Sequence, residues 1–223
     1  MPKSVTSFED VFERLHLPQG ERYVSVSKAE GKFIYQWIQE HQLHATLEIG
    51  LAYGVSAVCM MSAHQEMHTC MDPFQQESYQ NAGLENLESF GYQDRLLFYE
   101  DFSHNVLPKL HAGKRKYDFI FIDGSHDFDN ILVDFYYANL LLSQNGYILF
   151  HDSWMRSTQL VASYIRHNRS NYVQIPGVGL NLILFQKTGR RPAGAWDDFH
   201  EFYSLRGMLS HHIIRMLVRL FKR

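Results

Sequence analysis

The stretch LEIGLAYGVSAV, Leu47 to Val58, passes from a short apolar strand through a glycine turn into a helix. Gly50 and Gly54 bracket the turn, Glu48 stands at the strand end, and Ser56 offers a hydroxyl where the helix begins. A dinucleotide fingerprint reads G-x-G-x-x-G, so that backbone can approach a pyrophosphate. Here Ala52 takes the place of the middle glycine, which argues against a nicotinamide enzyme. Backbone approach is still open at Gly50, and Ser56 with the first helical amides suits a carboxylate. Glu48 is placed to accept from a bound ammonium group. A tight turn that holds no ligand is the plain alternative.

Outward from this turn, strand and helix patterns alternate. ATLEIG, HTCMD, RLLFYE, YDFIFID and GYILFHD read as strands, with two late strands near YVQIP and LNLILFQK. Between them GKFIYQWIQEH, SAVCMMSAHQ, ESYQNAGLENLESFG, SHNVLPKLHAG, FDNILVDFYYANLLLSQ and STQLVASYIRHN carry helical spacing. The segment before them reads as polar. Alternation of this kind implies crossover units, hence an α/β fold. A Rossmann-like, doubly wound, mostly parallel seven-stranded sheet is expected, with helices on both faces. The short interval between the last two strands favours a hairpin and an antiparallel last strand. Ligands in such sheets bind beyond the carboxyl ends of the strands, where strand order reverses. The ends to inspect are Glu48–Gly50, Asp72, Asp101–Ser103, Asp123–His126 and His151–Asp152. Asp72 closes the second strand, where a carboxylate can accept both hydroxyls of a ribose.

The 223 residues suit one large domain, or one domain with a terminal appendage. A formal charge of -3 gives no reason to expect nucleic acid as a partner. Cys59 and Cys70 lie in apolar segments and lack metal-pair spacing, so they read as buried free thiols. MPKSVTSFED lacks the apolar core of a secretory signal, and no apolar run of about 20 residues is present to span a bilayer. A cytoplasmic location is the expectation.

Taken in order, LEIGLAYGVSAV, CMDPFQ, YEDFSHNVLPKL, YDFIFIDGSHDF and GYILFHD resemble a class I S-adenosylmethionine-dependent methyltransferase. The likeness is to catechol O-methyltransferase-like enzymes and bacterial small-molecule O-methyltransferases, and it runs from about Val24 to Lys187. It implies that Gly50, Gly54 and Ser56 contact the methionine part of the cofactor and that Asp72 binds its ribose. It implies adenine contacts at Asp101, Phe102 and Ser103, although Phe102 stands where small or acidic residues are commoner. In VSVSKAEGKF it marks Val26 as a cofactor contact and Gly31 as a helix start.

A hydroxyl acceptor must lose a proton, either to a base or under the pull of a divalent cation. The resemblance makes Asp123 and Asp152 metal ligands, with magnesium or another divalent cation between them, and His126 the general base. His151 replaces an acidic ligand of the catechol enzymes and could coordinate as neutral imidazole or only orient the acceptor. The plain readings are a turn at Asp123–Gly124, a helix cap at His126–Asp127 and another at Asp152–Ser153. His104 and His111 read as surface residues. Trp154 either roofs an acceptor pocket or packs. Asp134, on an apolar helix, is expected to face solvent or a neighbouring cation and is left out of the site.

Residues 1–188 are assigned to the cofactor-binding domain and 189–223 to a helical appendage. Its last stretch puts Ile213, Ile214, Leu217, Leu220 and Phe221 on one face beside Arg215, Arg219, Lys222 and Arg223. Such a helix can pack on its own domain, on a second subunit or on an anionic membrane surface. The expected function is methyl transfer to a hydroxyl of a small molecule (a sugar, catechol or other metabolite), assisted by a divalent cation. The rivals are a metal-independent N-methyltransferase and a non-catalytic cofactor-binding assembly or membrane adaptor.

Overall fold

In the computed structural model, residues 8–17, 25–190 and 198–202 are described. Fourteen main elements follow one another: α1 (Phe8–Arg14), α2 (Lys28–Glu40), β1 (Thr46–Ile49), α3 (Val55–Ala63), β2 (His68–Met71), α4 (Ala82–Ser89), β3 (Leu96–Tyr99), α5 (Ser103–Ala112), β4 (Tyr117–Ile122), α6 (Phe128–Leu141), β5 (Leu142–Phe150), α7 (Arg156–Asn168), β6 (Tyr172–Gln174) and β7 (Ile183–Lys187). The strands form one sheet in the order β3-β2-β1-β4-β5-β7-β6. β3 to β5 pair in parallel, while β7 runs antiparallel to both β5 and β6. The expected sheet, with its antiparallel last strand, is the one observed.

Alternation along β4 divides the core. Phe119 and Phe121 pack with Ile34, Ile38 and Met60 beneath α2 and α3. Ile120 and Ile122 pack with Leu107, Phe135 and Val161 beneath α5, α6 and α7. Side chains two residues apart share a sheet face, so the stretch Phe119–Ile122, buried on both faces of the sheet, is apolar at every position. Cys59 and Cys70 are free and buried, as expected.

Four local expectations are corrected. The polar-looking N-terminal segment contains α1, whose Phe8 and Val11 are buried against α3 and its neighbours. The helix read across Glu77–Gly91 is confined to α4, because Gln80 and Asn81 adopt positive φ just before it. The strand read from Gly146 starts at Leu142, leaving no loop after α6. Residues 198–202 are non-helical and lie against α7, where Asn168 holds His200 through two hydrogen bonds. The amphipathic face from Ile213 to Phe221, with Arg215, Arg219, Lys222 and Arg223, lies outside the described residues. No described helix is long and apolar enough to cross a membrane.

Strand order reverses between β1 and β4. The chain runs outward from β1 through β2 to β3, then returns to place β4 on the other side of β1. A crevice opens at the carboxyl ends of these two strands.

Candidate active site

The crevice is a cleft of about 530 Å³ whose walls include Gly50, Asp72, Phe74, Phe102, Ser103, His104, Asp123, His126, His151 and Asp152. That volume lies in the range of small-molecule and cofactor sites. Each wall residue arrives from just beyond a strand end or from the helix start that follows.

The glycine turn is built to be held rather than to be loose. Gly50 has φ +93°, and a Cβ there would lie 2.2 Å from the Asp123 carbonyl oxygen. Ala52 takes φ +45°, the left-handed conformation that glycine adopts at no steric cost. Asp72 stabilises this shape: its Oδ2 accepts from the backbone N–H of Leu51 at 3.0 Å and of Ala52 at 2.8 Å. Its Oδ1 accepts from Phe74 N–H at 2.8 Å. Asp72 therefore pins the turn while presenting a carboxylate to the cleft, and Oδ1 keeps capacity for a hydroxyl donor.

Five expected cofactor contacts do not reach the cleft wall. Glu48 is wholly buried, with Oε1 accepting from the Ser56 hydroxyl and Oε2 from Cys70 Sγ at 3.7 Å. Glu48 lies one residue before the end of β1, so its side chain points at the α3 face of the sheet instead of the rim. Ser56 is consumed by the same contact. Gly54 is fitted against α4, where a Cβ would meet the Gly83 carbonyl oxygen at 2.8 Å. Val26 belongs to the core with Ile34 and Tyr53. Asp101 turns to the N-terminus of α5, accepting from Phe102 N–H and the Asn105 amide, both at 2.8 Å.

At the other end of the cleft, β4 and β5 deliver Asp123, His151 and Asp152 side by side. His151 Nδ1 lies 3.0 Å from Asp123 Oδ1 and 3.6 Å from Asp152 Oδ1. His126 Nε2 lies 2.7 Å from Asp152 Oδ2, with the imidazole itself half exposed to the cleft. Asp152 adopts φ +52°, a strained conformation for a non-glycine residue, and its Oδ1 accepts from the Asn181 amide at 2.8 Å and from Trp154 Nε1 at 3.1 Å. Of the plain capping readings, the one at His126–Asp127 holds in position and the one at Asp152–Ser153 gives way. Asp127 is the N-cap of α6 without a side-chain capping bond, and Met155, not Asp152, caps α7. Trp154 is exposed, with its Nε1–H held by Asp152.

The electrostatics follow from this crowding. Burial raises the Asp123 carboxyl above its usual range, opposed by the hydrogen bond from His151. Burial opposes charge on His151, but the nearby carboxylates of Asp123, Asp152 and Glu30 outweigh it and push its pKa up to about 12. Burial also works against the Asp152 anion, yet its bonds from His126, His151 and Asn181 hold it well below the carboxylate range. The His126 pKa is raised, chiefly by its hydrogen bond to Asp152.

Two participants, Glu30 and Asn181, were absent from the sequence reading. Glu30, at the start of α2, approaches His151 Nε2 to 3.7 Å. Its signal was the capping box Ser27-x-x-Glu30, whose two reciprocal bonds are both present. Asn181 comes from the loop before β7 and has no local signature. His104 is exposed, as expected, but it also lines the cleft and stacks on Phe102 at 5.3 Å between ring centroids. Asp134 is almost fully buried instead of facing solvent, with His104 as a neighbouring charge. Burial drives its pKa up to about 6, opposed by its bond from Ser103.

Asp123, His151 and Asp152 can each offer one ligand atom, all within 4.8 Å of one another. Two carboxylates and an imidazole form a donor set that suits a divalent cation. A buried group of Glu48, His68 and Cys70 is as closely spaced, with a thiol in place of the second carboxylate.

A family model for a methyltransferase domain matches residues 47–153. No curated protein is matched by the sequence. Among solved structures, the O-methyltransferase TomG from Streptomyces achromogenes, involved in tomaymycin synthesis and crystallised with SAM, is similar at TM-score 0.67 and 18% identity, covering 83% of this chain and 92% of that one. An O-methyltransferase from Bacillus cereus in complex with SAH aligns at TM-score 0.63 and 19% identity, over 82% and 90% of the two chains. The SAH-bound methyltransferase PaMTH1 from Podospora anserina aligns at TM-score 0.65 and 16% identity, over 85% and 89%.

Proposed function

We propose that the chain transfers a methyl group from S-adenosylmethionine to a hydroxyl of a small molecule, a reading supported by the match of residues 47–153 to a methyltransferase-domain model and by the Rossmann-like sheet that carries them. One observation carries the reading: a single cleft at the reversal point joins the Gly50–Asp72 wall to the His126–Asp152 pair. The Asp72 carboxylate is the acceptor for the ribose hydroxyls, and bare backbone at Gly50 admits the cofactor. Phe102 and His104 supply a stacked aromatic wall where the adenine is expected.

A sulfonium methyl is already electrophilic, so the protein has mainly to align the acceptor, exclude water and remove one proton. His126 is the base. Its Nε2–H donates to Asp152, which leaves Nδ1 free to take the hydroxyl proton. The acceptor oxygen then bonds to the methyl carbon, and the C–S electron pair passes to sulfur. Asp152 fixes the ring and stabilises the imidazolium that forms, as a carboxylate does in triad logic. Asp123, His151 and Asp152 are the residues that would hold a divalent cation, and such an ion lowers the pKa of a bound hydroxyl.

A metal-independent route has its own support, since His151 held at about 12 supplies a positive charge between the same carboxylates. Activity that survives thorough chelation would select it.

The test begins with calorimetry. The protein should bind S-adenosylhomocysteine one to one, and Asp72→Ala should weaken binding at least tenfold. Acceptor screening with and without divalent ions would follow, with the methylated atom located by mass spectrometry. No binding by folded protein would remove the cofactor reading.

A further inference from the structure

His151 presents two nitrogens to two different surroundings. Nδ1 faces the carboxylates of Asp123 and Asp152, at 3.0 and 3.6 Å. Nε2 points the other way; it is buried and makes no hydrogen bond among the described residues. The carboxylate opposite is Glu30, whose Oε2 stands 3.7 Å from it. A buried nitrogen without a partner requires an explanation.

Glu30 is held in place from two sides. Its Oε2 accepts from Ser27 N–H at 2.6 Å, and its Oε1 accepts from Asn181 N–H at 3.2 Å. The first bond belongs to the capping box of α2, and the second ties the carboxylate to the loop that also supports Asp152. Glu30 is itself almost fully buried. A carboxylate so clamped is an acceptor fixed in front of Nε2–H. Metal-binding histidines nearly always donate their second ring N–H to such a group, which sets the tautomer and ring angle and raises ligand basicity.

We propose that Glu30 is a positioning residue that holds His151 in the Nε2–H tautomer, so that Nδ1 serves as a nitrogen ligand beside Asp123 and Asp152 and the site prefers first-row transition cations to magnesium. This rests on the reading of those three residues as an ion site. The preference follows from the donor: imidazole suits iron, nickel, copper and zinc, with manganese the weakest binder of the first-row series and so the most demanding probe, whereas magnesium favours carboxylates and retained waters.

The experiment is calorimetric titration of the full, metal-stripped chain with MnCl₂ and with MgCl₂, in the wild type, Glu30→Ala, Glu30→Gln and Ser27→Ala. The wild type should bind Mn²⁺ at least tenfold more tightly than Mg²⁺. Glu30→Ala should lose about 10- to 100-fold in Mn²⁺ affinity, the usual cost of removing such a partner, and clearly less in Mg²⁺ affinity. Glu30→Gln keeps an acceptor oxygen and should recover most of the Mn²⁺ loss. Ser27→Ala removes the cap and spares the carboxylate, so its preference should match the wild type. Equal losses for both ions in Glu30→Ala, or a Ser27→Ala effect as large, would make Glu30 merely structural and overturn the proposal. A wild type that binds Mn²⁺ no better than Mg²⁺ would overturn the preference. A folded wild type that binds neither would instead remove the ion site itself, and the proposal with it.

Discussion

Two clusters in this protein pair histidine with carboxylate, and they behave oppositely. The interior one begins at His64, whose Nδ1 accepts from Glu66 N–H at 3.1 Å, so that Nε2 carries the proton and donates to Thr46 Oγ1 at 2.9 Å. The Thr46 hydroxyl donates to His68 Nδ1 at 2.8 Å, and His68 Nε2–H reaches Glu48 Oε2 at 3.3 Å. Every donor along this line has one acceptor, and both imidazoles are neutral, burial having pushed their pKa values down to about 3. At the rim, three carboxylates converge on His151 and lift it to about 12. Burial lowers both His68 and His151. What differs is the number of acceptors per imidazole and the access to a cleft. A saturated network stabilises a fold, and an unbalanced one at a rim is available for chemistry.

The comparison breaks most visibly if rim substitutions act on stability instead of turnover. His126→Ala should lower turnover by about 10²- to 10⁴-fold, the usual contribution of a general base. Its affinity for S-adenosylhomocysteine and its denaturant midpoint should stay near those of the wild type. Unchanged turnover at saturating acceptor would remove His126 from the mechanism.

Within the interior cluster the expected loss is in folding. Glu48→Ala strands the donors of Ser56, His68 and Cys70, each worth about 1–3 kcal/mol when buried unpaired. Urea titration should show a destabilisation of roughly 4 kcal/mol. A fully stable variant with impaired cofactor binding would return Glu48 to the cleft.

Asp134 sharpens the contrast as a buried acid dominated by its burial, with the Ser103 hydroxyl and the more distant His104 opposing it only in part. Its folded pKa of about 6 lies above the unfolded value, so the folded state holds the extra proton between roughly pH 4 and 6. Stability should therefore fall as pH rises through that window and stay lower above it. Asp134→Asn keeps an acceptor for Ser103 and should abolish this component, with a gain of up to about 3 kcal/mol at pH 7. Parallel wild-type and variant profiles across pH 4–7 would show that the carboxyl titrates normally.

The sequence carried the fold through runs such as FIFI (Phe119–Ile122), where burial on both sheet faces favours apolar residues throughout and the following Asp123 and Gly124 mark the end. The rim acids Asp72, Asp123 and Asp152 were legible for a related reason, since a polar residue immediately past an apolar strand has few places to go except the carboxyl edge. Glu48 looked equivalent and is not. One position of register sends its side chain into the interior, and only the pairing of β1 with β2 shows that Cys70 and His68 await it there. Glu30 and Asn181 were beyond reach because their contacts with His151 and Asp152 span about 120 and 30 residues of chain, as tertiary contacts must. Phe8 and Val11 show the opposite limit. A seven-residue helix leaves too few apolar positions for its period to be read.

The bare backbone at Gly50 has a consequence for how this protein can vary. A methyl group there would meet the Asp123 carbonyl oxygen at 2.2 Å, and one at Gly124 would press on Ile49 Cγ2 at 3.0 Å. The glycine turn of one half-sheet and the rim carboxylates of the other thus meet at a seam where backbone packs on backbone. Evolution cannot place a side chain at position 50 without also moving the backbone at position 123, so the two halves must drift together or not at all.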